Sequence, residues 1–385
     1  MVGSATIRTL QQGGYTNLIA NYHSRQPQDD TLLWVQLDLT NQSAVQSFFS
    51  THKPGYVFLA AARVGGIMAN NIYRADFIYQ NLQIQNNVIH QSYQSGVKKL
   101  LFLGSTCIYP RECPQPMKEE YLLTSTLEYT NEPYAIAKIA GLKMCESFNL
   151  QYGTNYICVM PTNLYGPGDN FDLEKAHVLP ALMRKMHLAK LSEQGDVEAI
   201  ERDEQKFGPI PDEVLRDLGV EREELTAEAQ STQGEDKRDN LLFAAERAAN
   251  KKDPSQRSLR LSGEKPLVSI WGTGKPRREF LWSEDMADAC VFIMEKIDYP
   301  DLARGLSEVR DTHINIGSGE EISIGELAEM TREVVGFTGD LVFNTDKPDG
   351  TLRKLTDVSR LRGLGWKHRT SLDEGLKKFY EWYRA

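Results

Sequence analysis

The sequence predicts an α/β protein: a doubly wound parallel sheet that lacks its first strand, followed by a smaller α/β domain. Three nearly continuous apolar runs carry this prediction, at residues 56–62, 99–106 and 156–162. Strands buried on both faces of a parallel sheet have this character. Helical patterns separate the runs, most clearly at 82–95 and 134–152. Because repeated strand–helix units place ligands at the carboxyl ends of the strands, we expect functional loops directly after the three runs.

The first strand–helix unit is incomplete. Residues 4–12 have the pattern of a helix closed by Gly13 and Gly14, and a strand follows at 17–20. A sheet of this type normally opens with a strand and a glycine-rich turn, whereas here the chain starts inside the turn, of which Gly3 remains. We expect either an internal methionine recorded as the start or a true truncation. Because the absent strand belongs to the middle of the sheet, unpaired strand edges and an open apolar trough are expected beside it.

Length and charge exclude several classes of protein. At 385 residues the chain has room for two domains. Its 53 acidic and 44 basic side chains give a net charge of −9, which disfavours a nucleic-acid partner. No apolar run approaches the roughly 20 residues that cross a bilayer, and the start lacks the features of a secretory signal. The five cysteines show no C-x-x-C pair and no metal-ligand spacing, so we expect no metal, no membrane and a reducing cytoplasm.

One segment carries most of the net charge. Residues 193–265 have 19 acidic and 12 basic side chains and so contribute −7 of the −9. Helical fragments occur inside this acidic segment, one that opens at Pro211 and ends before Gly219 and another at 241–250. The composition favours a solvated insertion of mobile helices at about 191–265. The alternative is an arm that docks a partner, and no residue in it selects one.

Tyr134 and Lys138 form a Y-x-x-x-K pattern at the start of a helix. Four residues are about one helical turn, so both side chains stand on the same face. An ammonium beside a phenol would lower the phenol pKa, and the tyrosine could then give a proton to a carbonyl undergoing reduction. The pattern alone is weak, because a surface Tyr–Lys pair is commoner. Ser105, at the end of the preceding strand run, strengthens it, since its hydroxyl could hold the same carbonyl oxygen.

With these residues in place, the chain resembles the extended short-chain dehydrogenase/reductase superfamily, and within it the branch of 3,5-epimerase/4-reductases that act on GDP-4-keto-6-deoxy-D-mannose. The resemblance rests on LAAARVGGIMANNIY at 59–73, DFIYQN at 76–81, LFLGSTCIYP at 101–110, TNEPYAIAKIAG at 130–141, MPTNLYGPGDNF at 160–171, HVLPAL at 177–182, WGTGKPRREFL at 271–281 and KPDGTLRK at 347–354. These stretches span nearly the whole chain outside the acidic segment. The resemblance implies NADPH as cofactor and a homodimer formed through the helices near 82–95 and 134–150.

The same resemblance implies a role for each candidate site residue. It makes Tyr134 the general acid, with Lys138 as partner of the phenol, and Ser105 the ligand of the carbonyl. It makes Cys107 and His177 the base and the acid of epimerisation. Contacts to the cofactor are implied for Gly3, Asp38, Leu103, Gly104, Ser105, Thr106, Lys138, Pro161, Thr162, Asn163, Leu164 and His177, and contacts to the GDP-sugar for Lys185, Trp271, Arg278 and Asp349.

The resemblance also implies a division into domains. A Rossmann-type NADP-binding domain is expected at 1–164, joined by segments from 282–320, and a substrate-binding region at 165–385, which the acidic segment interrupts. By this resemblance, the absent first strand and turn would include most of the glycine-rich motif and a basic residue that binds the 2′-phosphate of NADPH. A truly truncated chain would therefore bind NADPH poorly.

Other interpretations stay open at this point. A UDP-sugar 4-epimerase or a 4,6-dehydratase belongs to the same superfamily, but a dehydratase should carry an acidic pair where this chain has Cys107-Ile108. A non-catalytic dinucleotide sensor or scaffold is the alternative from another class. Taken singly, Cys107 is more often a small buried residue and His177 a helix-cap or core histidine. Likewise Asp38 is compatible with a helix N-cap and Arg278 with a surface arginine.

Overall fold

The computed structural model describes residues 1–24, 31–222 and 258–385. The chain divides into two compact units. Unit 1 comprises Met1–Asp169, Lys275–Leu327 and Asp349–Ala385, and unit 2 comprises Asn170–Gly274 and Ala328–Pro348. Unit 1 therefore includes the C-terminal stretch that the sequence-based division assigns to the substrate-binding region, as well as the segments near 282–320 that it assigns to the first domain.

The described strands, in chain order, are β1 (Ile19–Tyr22), β2 (Leu33–Gln36), β3 (Tyr56–Leu59), β4 (Lys99–Leu103), β5 (Tyr156–Pro161), β6 (Asn163–Tyr165), β7 (Val220–Arg222), β8 (Leu259–Leu261), β9 (Leu267–Trp271), β10 (Arg277–Trp282), β11 (Ile314–Ile316), β12 (Glu321–Ser323), β13 (Asp340–Asn344) and β14 (Arg353–Lys354). The described α-helices are α1 (Val2–Gln12), α2 (Gln42–His52), α3 (Ile67–Ile72), α4 (Arg74–Gln94), α5 (Glu132–Tyr152), α6 (Val178–Glu193), α7 (Val197–Phe207), α8 (Asp212–Asp217), α9 (Ser283–Lys296), α10 (Tyr299–Ala303), α11 (Ile324–Val335), α12 (Ser359–Gly363) and α13 (Leu372–Arg384).

Unit 1 is built on a parallel sheet with the strand order β11–β5–β4–β3. In its register, Leu101 of β4 lies opposite Ile157 of β5. Successive side chains of β4 point to opposite faces. Leu100 and Phe102 enter a core formed with α2, α4 and α5, whereas Leu101 and Leu103 enter a second core formed with α9. Helices thus cover both faces of the sheet, which confirms the predicted doubly wound architecture.

The sheet of unit 1 is interrupted beside β3. Strands β1 and β2 form a separate parallel pair, in which Ile19 lies opposite Leu33. Among the described residues, β1 pairs with β2 alone and β3 with β4 alone. The predicted unpaired edges are therefore confirmed on both strands. They are also accessible, because Tyr56 on β3 is 59% exposed and Ile19 on β1 is 37% exposed.

Glycine, proline and acidic residues mark the ends of the helices in unit 1. Helix α1 starts at Val2, slightly earlier than predicted, and ends before Gly13-Gly14, where Gly14 has a φ of +83° that suits glycine. Helix α4 starts well before residue 82, with Asp76 in its first turn to stabilise the N-terminus. Helix α5 has a proline in its first turn and the left-handed Gly153 as its C-cap.

Unit 2 combines α6, α7 and α8 with the antiparallel pair β7–β8 and the parallel pair β9–β13. Helices α7 and α8 lie in the acidic segment, yet Ile200 and Val214 on them are buried. Arg184 of α6 and Asp203 of α7 form a buried ion pair with an N–O distance of 2.8 Å. The expectation of a solvated insertion is therefore wrong for 193–222. One face of each helix is apolar, although the segment as a whole is highly charged.

The helical fragment predicted after Pro211 is confirmed as α8. The fragment predicted at 241–250 lies outside the described residues. Within the part of the chain that the structure describes, no helix combines the length and the apolar character needed to span a bilayer.

Candidate active site

The loop after β4 carries Ser105 and Cys107. Gly104 precedes them, and a Cβ there would lie 2.3 Å from the sulfur of Met160 and 3.3 Å from the carbonyl oxygen of Val159. Glycine thus lets the chain leave the sheet close against β5. Ser105 then opens a short 3-10 turn, because its Oγ accepts a hydrogen bond from the Cys107 N–H at 3.2 Å. This bond fixes the half-buried Ser105 side chain against the backbone that carries Cys107.

Helix α5 brings Tyr134 and Lys138 to the same strand end. The Lys138 Nζ donates to the carbonyl oxygen of Leu103 at 2.7 Å. It also lies 5.9 Å from the centre of the Tyr134 ring. Gly141 allows the helix to pack closely on β4, since a Cβ there would lie 2.5 Å from the Phe102 ring. The tyrosine and lysine are both buried and stand on one helix face, as their spacing predicts.

Burial dominates the electrostatics of this pair. It raises the pKa of the Tyr134 phenol, the neighbouring Cys107 adds to the increase, and a hydrogen bond with Ser105 opposes it. Burial also lowers the pKa of Lys138 to about 7. The prediction that Lys138 lowers the phenol pKa is therefore wrong for this structure. Loss of solvation of the phenolate is the largest cause of its shift, and the Lys138 ammonium donates its hydrogen bond to the Leu103 carbonyl instead.

Asn131 is a residue of this site that the sequence did not indicate. It ends the short turn before α5, and its Nδ2 donates to the Cys107 Sγ at 3.4 Å. Cys107 is half-buried, whereas the other four cysteines are buried, and all five are unpaired. The one available signal was the position of Asn131 just before the Y-x-x-x-K pattern. Nothing in that spacing points to a cysteine 24 residues away.

Most of the implied cofactor contacts lie at two neighbouring strand ends in unit 1. Residues 103–106 follow β4 and residues 161–164 follow β5, with Lys138 beside the first group. Asn163 is oriented by a hydrogen bond from its Nδ2 to the Glu279 carbonyl oxygen at 2.9 Å. The backbone groups, hydroxyls and ammonium here fit the polar edge of a nicotinamide ribose. Gly3, another implied cofactor contact, lies in the first turn of α1.

Asp38 follows β2 and is exposed. Its Oδ1 accepts hydrogen bonds from the Thr40 N–H at 2.9 Å and the Thr40 hydroxyl at 2.7 Å, which lower the pKa of the carboxyl. The N-cap of α2 is Asn41. The capping interpretation of Asp38 is therefore wrong, and the residue presents an ionised carboxylate at a strand end.

Unit 2 holds His177, Lys185 and Trp271. His177 precedes α6, is exposed and makes no capping bond, yet enough protein surrounds the ring to lower its pKa and keep it neutral at pH 7. Burial lowers the pKa of Lys185, while Asp217 opposes the shift. Trp271 is 49% exposed, and the Lys347 Nζ lies 5.0 Å from the centre of its ring.

Arg278 and Asp349 adjoin one another in unit 1. Arg278 is half-buried on β10 and donates from Nη1 to the Arg277 carbonyl oxygen at 2.8 Å, so it is not an ordinary surface arginine. Burial lowers the pKa of its guanidinium, and Asp349 opposes the shift. A Cβ on Gly350 would lie 3.0 Å from its Nη2, so the chain passes directly beside the guanidinium.

Unit 1 thus holds two groups of predicted site residues, and unit 2 a third. Ser105, Cys107, Tyr134 and Lys138 lie together, Arg278 lies with Asp349, and His177, Lys185 and Trp271 belong to unit 2. In the described ranges there is no cluster of three or more His, Cys, Asp or Glu side chains suited to a metal ion.

A family model described as "NAD dependent epimerase/dehydratase family" matches residues 1–205 and 234–317. Among curated relatives, GDP-L-fucose synthase 1 of Arabidopsis thaliana is 46% identical over 383 residues, with 100% of this chain and 90% of that protein covered. The GDP-L-fucose synthase of Escherichia coli K12 is 42% identical over 383 residues, with 100% and 93% covered.

Two solved structures of proteins that act on GDP-heptoses are also similar to the chain. The chain is similar to a GDP-D-glycero-L-gluco-heptose synthase from Campylobacter jejuni, crystallised in the presence of NADPH, with 41% identity, a TM-score of 0.78 and coverage of 100% and 95%. It is also similar to a GDP-6-OMe-4-keto-L-xylo-heptose reductase from C. jejuni, with 42% identity, a TM-score of 0.75 and coverage of 100% and 94%.

Proposed function

Since the chain belongs to the NAD dependent epimerase/dehydratase family, we propose that it converts GDP-4-keto-6-deoxy-D-mannose to GDP-L-fucose, by epimerisation at C3 and C5 and then NADPH-dependent reduction at C4. The observation that carries the proposal is the group at the end of β4. There Ser105, Cys107 and Tyr134 lie close enough to interact, and Lys138 stands beside the phenol. A ketone bound at this place would meet a proton donor and a base together.

Tyr134 acts as the proton donor in the reduction. Its raised pKa keeps the phenol protonated at neutral pH, so a proton is available for the C4 oxygen as hydride arrives. NADPH supplies that hydride when bound. Ser105 holds the same oxygen, and Lys138 in its protonated form stabilises the phenolate that proton transfer leaves behind.

Cys107 and His177 act in the epimerisation. The C4 ketone acidifies the protons on C3 and C5, and a Cys107 thiolate removes one of them. The negative charge then rests on the C4 oxygen of the enolate, where the hydroxyls of Ser105 and Tyr134 donate hydrogen bonds to it. His177, when protonated as an imidazolium, returns a proton to the carbon from the other face of the sugar. Its lowered pKa makes this cation a stronger acid, although a minor form at pH 7. Cys107 then loses its proton to solvent and His177 takes one up, and the same steps at the second carbon give the L-configured sugar.

The remaining candidate residues bind the nucleotides. Residues 103–106 and 161–164 would hold the nicotinamide end of NADPH, with Asp38 at the adenosine end and Gly3 beside the phosphates. Lys185 and Arg278 are proposed to contact the diphosphate of the GDP-sugar, for which a guanidinium offers two parallel donors. Trp271 and Asp349 are likewise proposed to contact the GDP-sugar.

The proposal is tested by incubating the protein with GDP-4-keto-6-deoxy-D-mannose and NADPH. We expect NADPH to be oxidised and GDP-L-fucose to form, as followed by absorbance and by NMR of the product. A second candidate is reduction at C4 of a GDP-4-keto-heptose, which the similarity to the C. jejuni proteins favours. Turnover of a GDP-4-keto-heptose without turnover of the 6-deoxy-hexose would replace the first proposal by the second.

Reduction should depend on pH through Lys138. Its pKa of about 7 means that the ammonium is lost as pH rises through neutrality. The value of kcat/KM for reduction is therefore expected to fall by about tenfold for each pH unit above about 7, because this parameter reports the free enzyme. A Lys138→Arg variant keeps its charge and should lose this falling limb. A wild-type profile that stays flat between pH 6 and about 9 would contradict the role of the ammonium.

We also propose that the protein is cytoplasmic, because its five unpaired cysteines would stay reduced there.

A homodimer formed through α4 and α5 is proposed as well. The two helices pack together and expose apolar side chains, among them Tyr79 at 63%, Ile136 at 41% and Leu150 at 58%. Ile136→Glu should yield monomers in sedimentation velocity, because a carboxylate would be buried at the interface. Leu306→Glu, at an exposed loop position, is the matched control. A dimer that persists in Ile136→Glu would rule out this interface.

A further inference from the structure

The environment of Cys107 includes an amide that no step of the proposed reaction uses. Asn131 Nδ2 donates to the Cys107 Sγ at 3.4 Å. Asn131 stands at the N-cap position of the 21-residue helix α5, yet its side chain makes no capping bond. An asparagine at this position would usually satisfy the first N–H groups of the helix. Here its amide is directed at sulfur instead.

The orientation of this amide fits a thiolate. A thiolate accepts hydrogen bonds and cannot donate one, so the nitrogen end of the amide is the end that it attracts. The opposite end, Asn131 Oδ1, is buried and has no hydrogen-bond partner among the described residues. Leaving a buried carbonyl oxygen unpaired costs free energy, so such groups are uncommon in folded proteins. The sulfur thus contacts the N-cap residue of α5, and the partial positive charge of a helix N-terminus favours an anion nearby.

The turn that carries Asn131 does not depend on this side chain. Glu128 Oε1 accepts hydrogen bonds from the Thr130 N–H and the Thr130 hydroxyl, both at 3.4 Å, and these bonds close the turn. The backbone N–H of Asn131 also donates to the Glu128 carbonyl oxygen at 3.2 Å. Removal of the Asn131 amide should therefore leave the turn intact.

We propose that Asn131 is a positioning residue for epimerisation: its amide N–H donates to the Cys107 thiolate, stabilises it and aims it at the sugar carbon that loses its proton. This inference rests on the proposed function. It predicts that Asn131 affects the epimerisation and has little effect on the reduction, because its contact is to Cys107 and not to the oxygen that Tyr134 protonates.

The first test does not involve a substrate. Alkylation of Cys107 by iodoacetamide is followed by mass spectrometry across a range of pH, and the four buried cysteines should react slowly. In Asn131→Ala we expect the alkylation rate at neutral pH to fall by about tenfold and the pH profile to move to higher pH, since one hydrogen bond to a charged group is lost. Asn131→Asp, which is isosteric but acidic, should move the pH profile of alkylation to still higher pH. Asn131→Ser keeps a donor and should recover part of the rate.

Thr130→Ala is the matched control, because it alters the same turn and leaves the amide in place. Its profile should match that of the wild type. An unchanged alkylation profile in a folded Asn131→Ala variant would overturn the inference.

The second test measures solvent deuterium entering C3 and C5 of GDP-4-keto-6-deoxy-D-mannose. We expect exchange in Asn131→Ala to fall about as far as alkylation does, while reduction of the already epimerised 4-keto sugar keeps its kcat. Equal losses in both activities would mean a structural role and reject the proposal. If the wild type itself shows no exchange while the alkylation profiles still differ, the proposed function fails and the contact between Asn131 and the thiolate stands.

Discussion

Tyr134→Phe is expected to lower kcat for reduction at C4 by about a thousandfold, because the variant has no proton for the developing alkoxide. The phenol is buried and stays protonated at neutral pH, so bulk water is a poor replacement. NADPH oxidation with GDP-4-keto-6-deoxy-D-mannose measures the effect. KM should change little, since the ring and its packing are retained.

Tyr152→Phe is the control for that substitution. Tyr152 is on the same helix, is 46% exposed and lies at its far end, so loss of its hydroxyl should leave the rate unchanged. Full NADPH oxidation by Tyr134→Phe would show that another group donates the proton.

Cys107→Ser is expected to abolish deuterium exchange at C3 and C5, with a loss of about a hundredfold or more. An alcohol is a far weaker acid than a thiol, so the serine would not supply an anion at neutral pH. Reduction of the epimerised 4-keto sugar should persist, because Ser105, Tyr134 and Lys138 are untouched. The experiment follows exchange by NMR and reduction by NADPH absorbance in the same preparation.

Cys113→Ser is the matched variant, since Cys113 is 8% exposed and its sulfur accepts a hydrogen bond from Gln115 Nε2 at 3.9 Å. Its exchange should equal that of the wild type. Exchange that survives in Cys107→Ser would remove Cys107 from the role of base.

The sheet of unit 1 could be predicted closely. The three apolar runs begin at the residues where β3, β4 and β5 begin, namely Tyr56, Lys99 and Tyr156. They overrun the ends of the strands, because the chain leaves the sheet after Leu103 yet stays partly buried as it forms the site. Apolar character reports burial, whereas strand ends depend on hydrogen bonds to neighbouring strands.

The acidic segment could not be predicted in the same way. Net charge describes the whole of 193–265, yet Ile200 and Val214 are buried on one face of α7 and of α8, and Leu218 is buried directly after α8. The ion pair between Arg184 and Asp203 places two further charges in the interior. A sparse apolar face within a charged stretch becomes visible only when its partner surface is known.

The sequence by itself determined the strand–helix order, the i,i+4 placement of Tyr134 and Lys138, and the position of Ser105 at a strand end. These depend on backbone periodicity, which acts over a few residues. The tertiary structure alone decided the approach of Asn131 to Cys107 and the direction of the Tyr134 pKa shift. Both depend on what other parts of the chain bring to the site, because desolvation and contact are properties of the packed molecule and no local pattern records them.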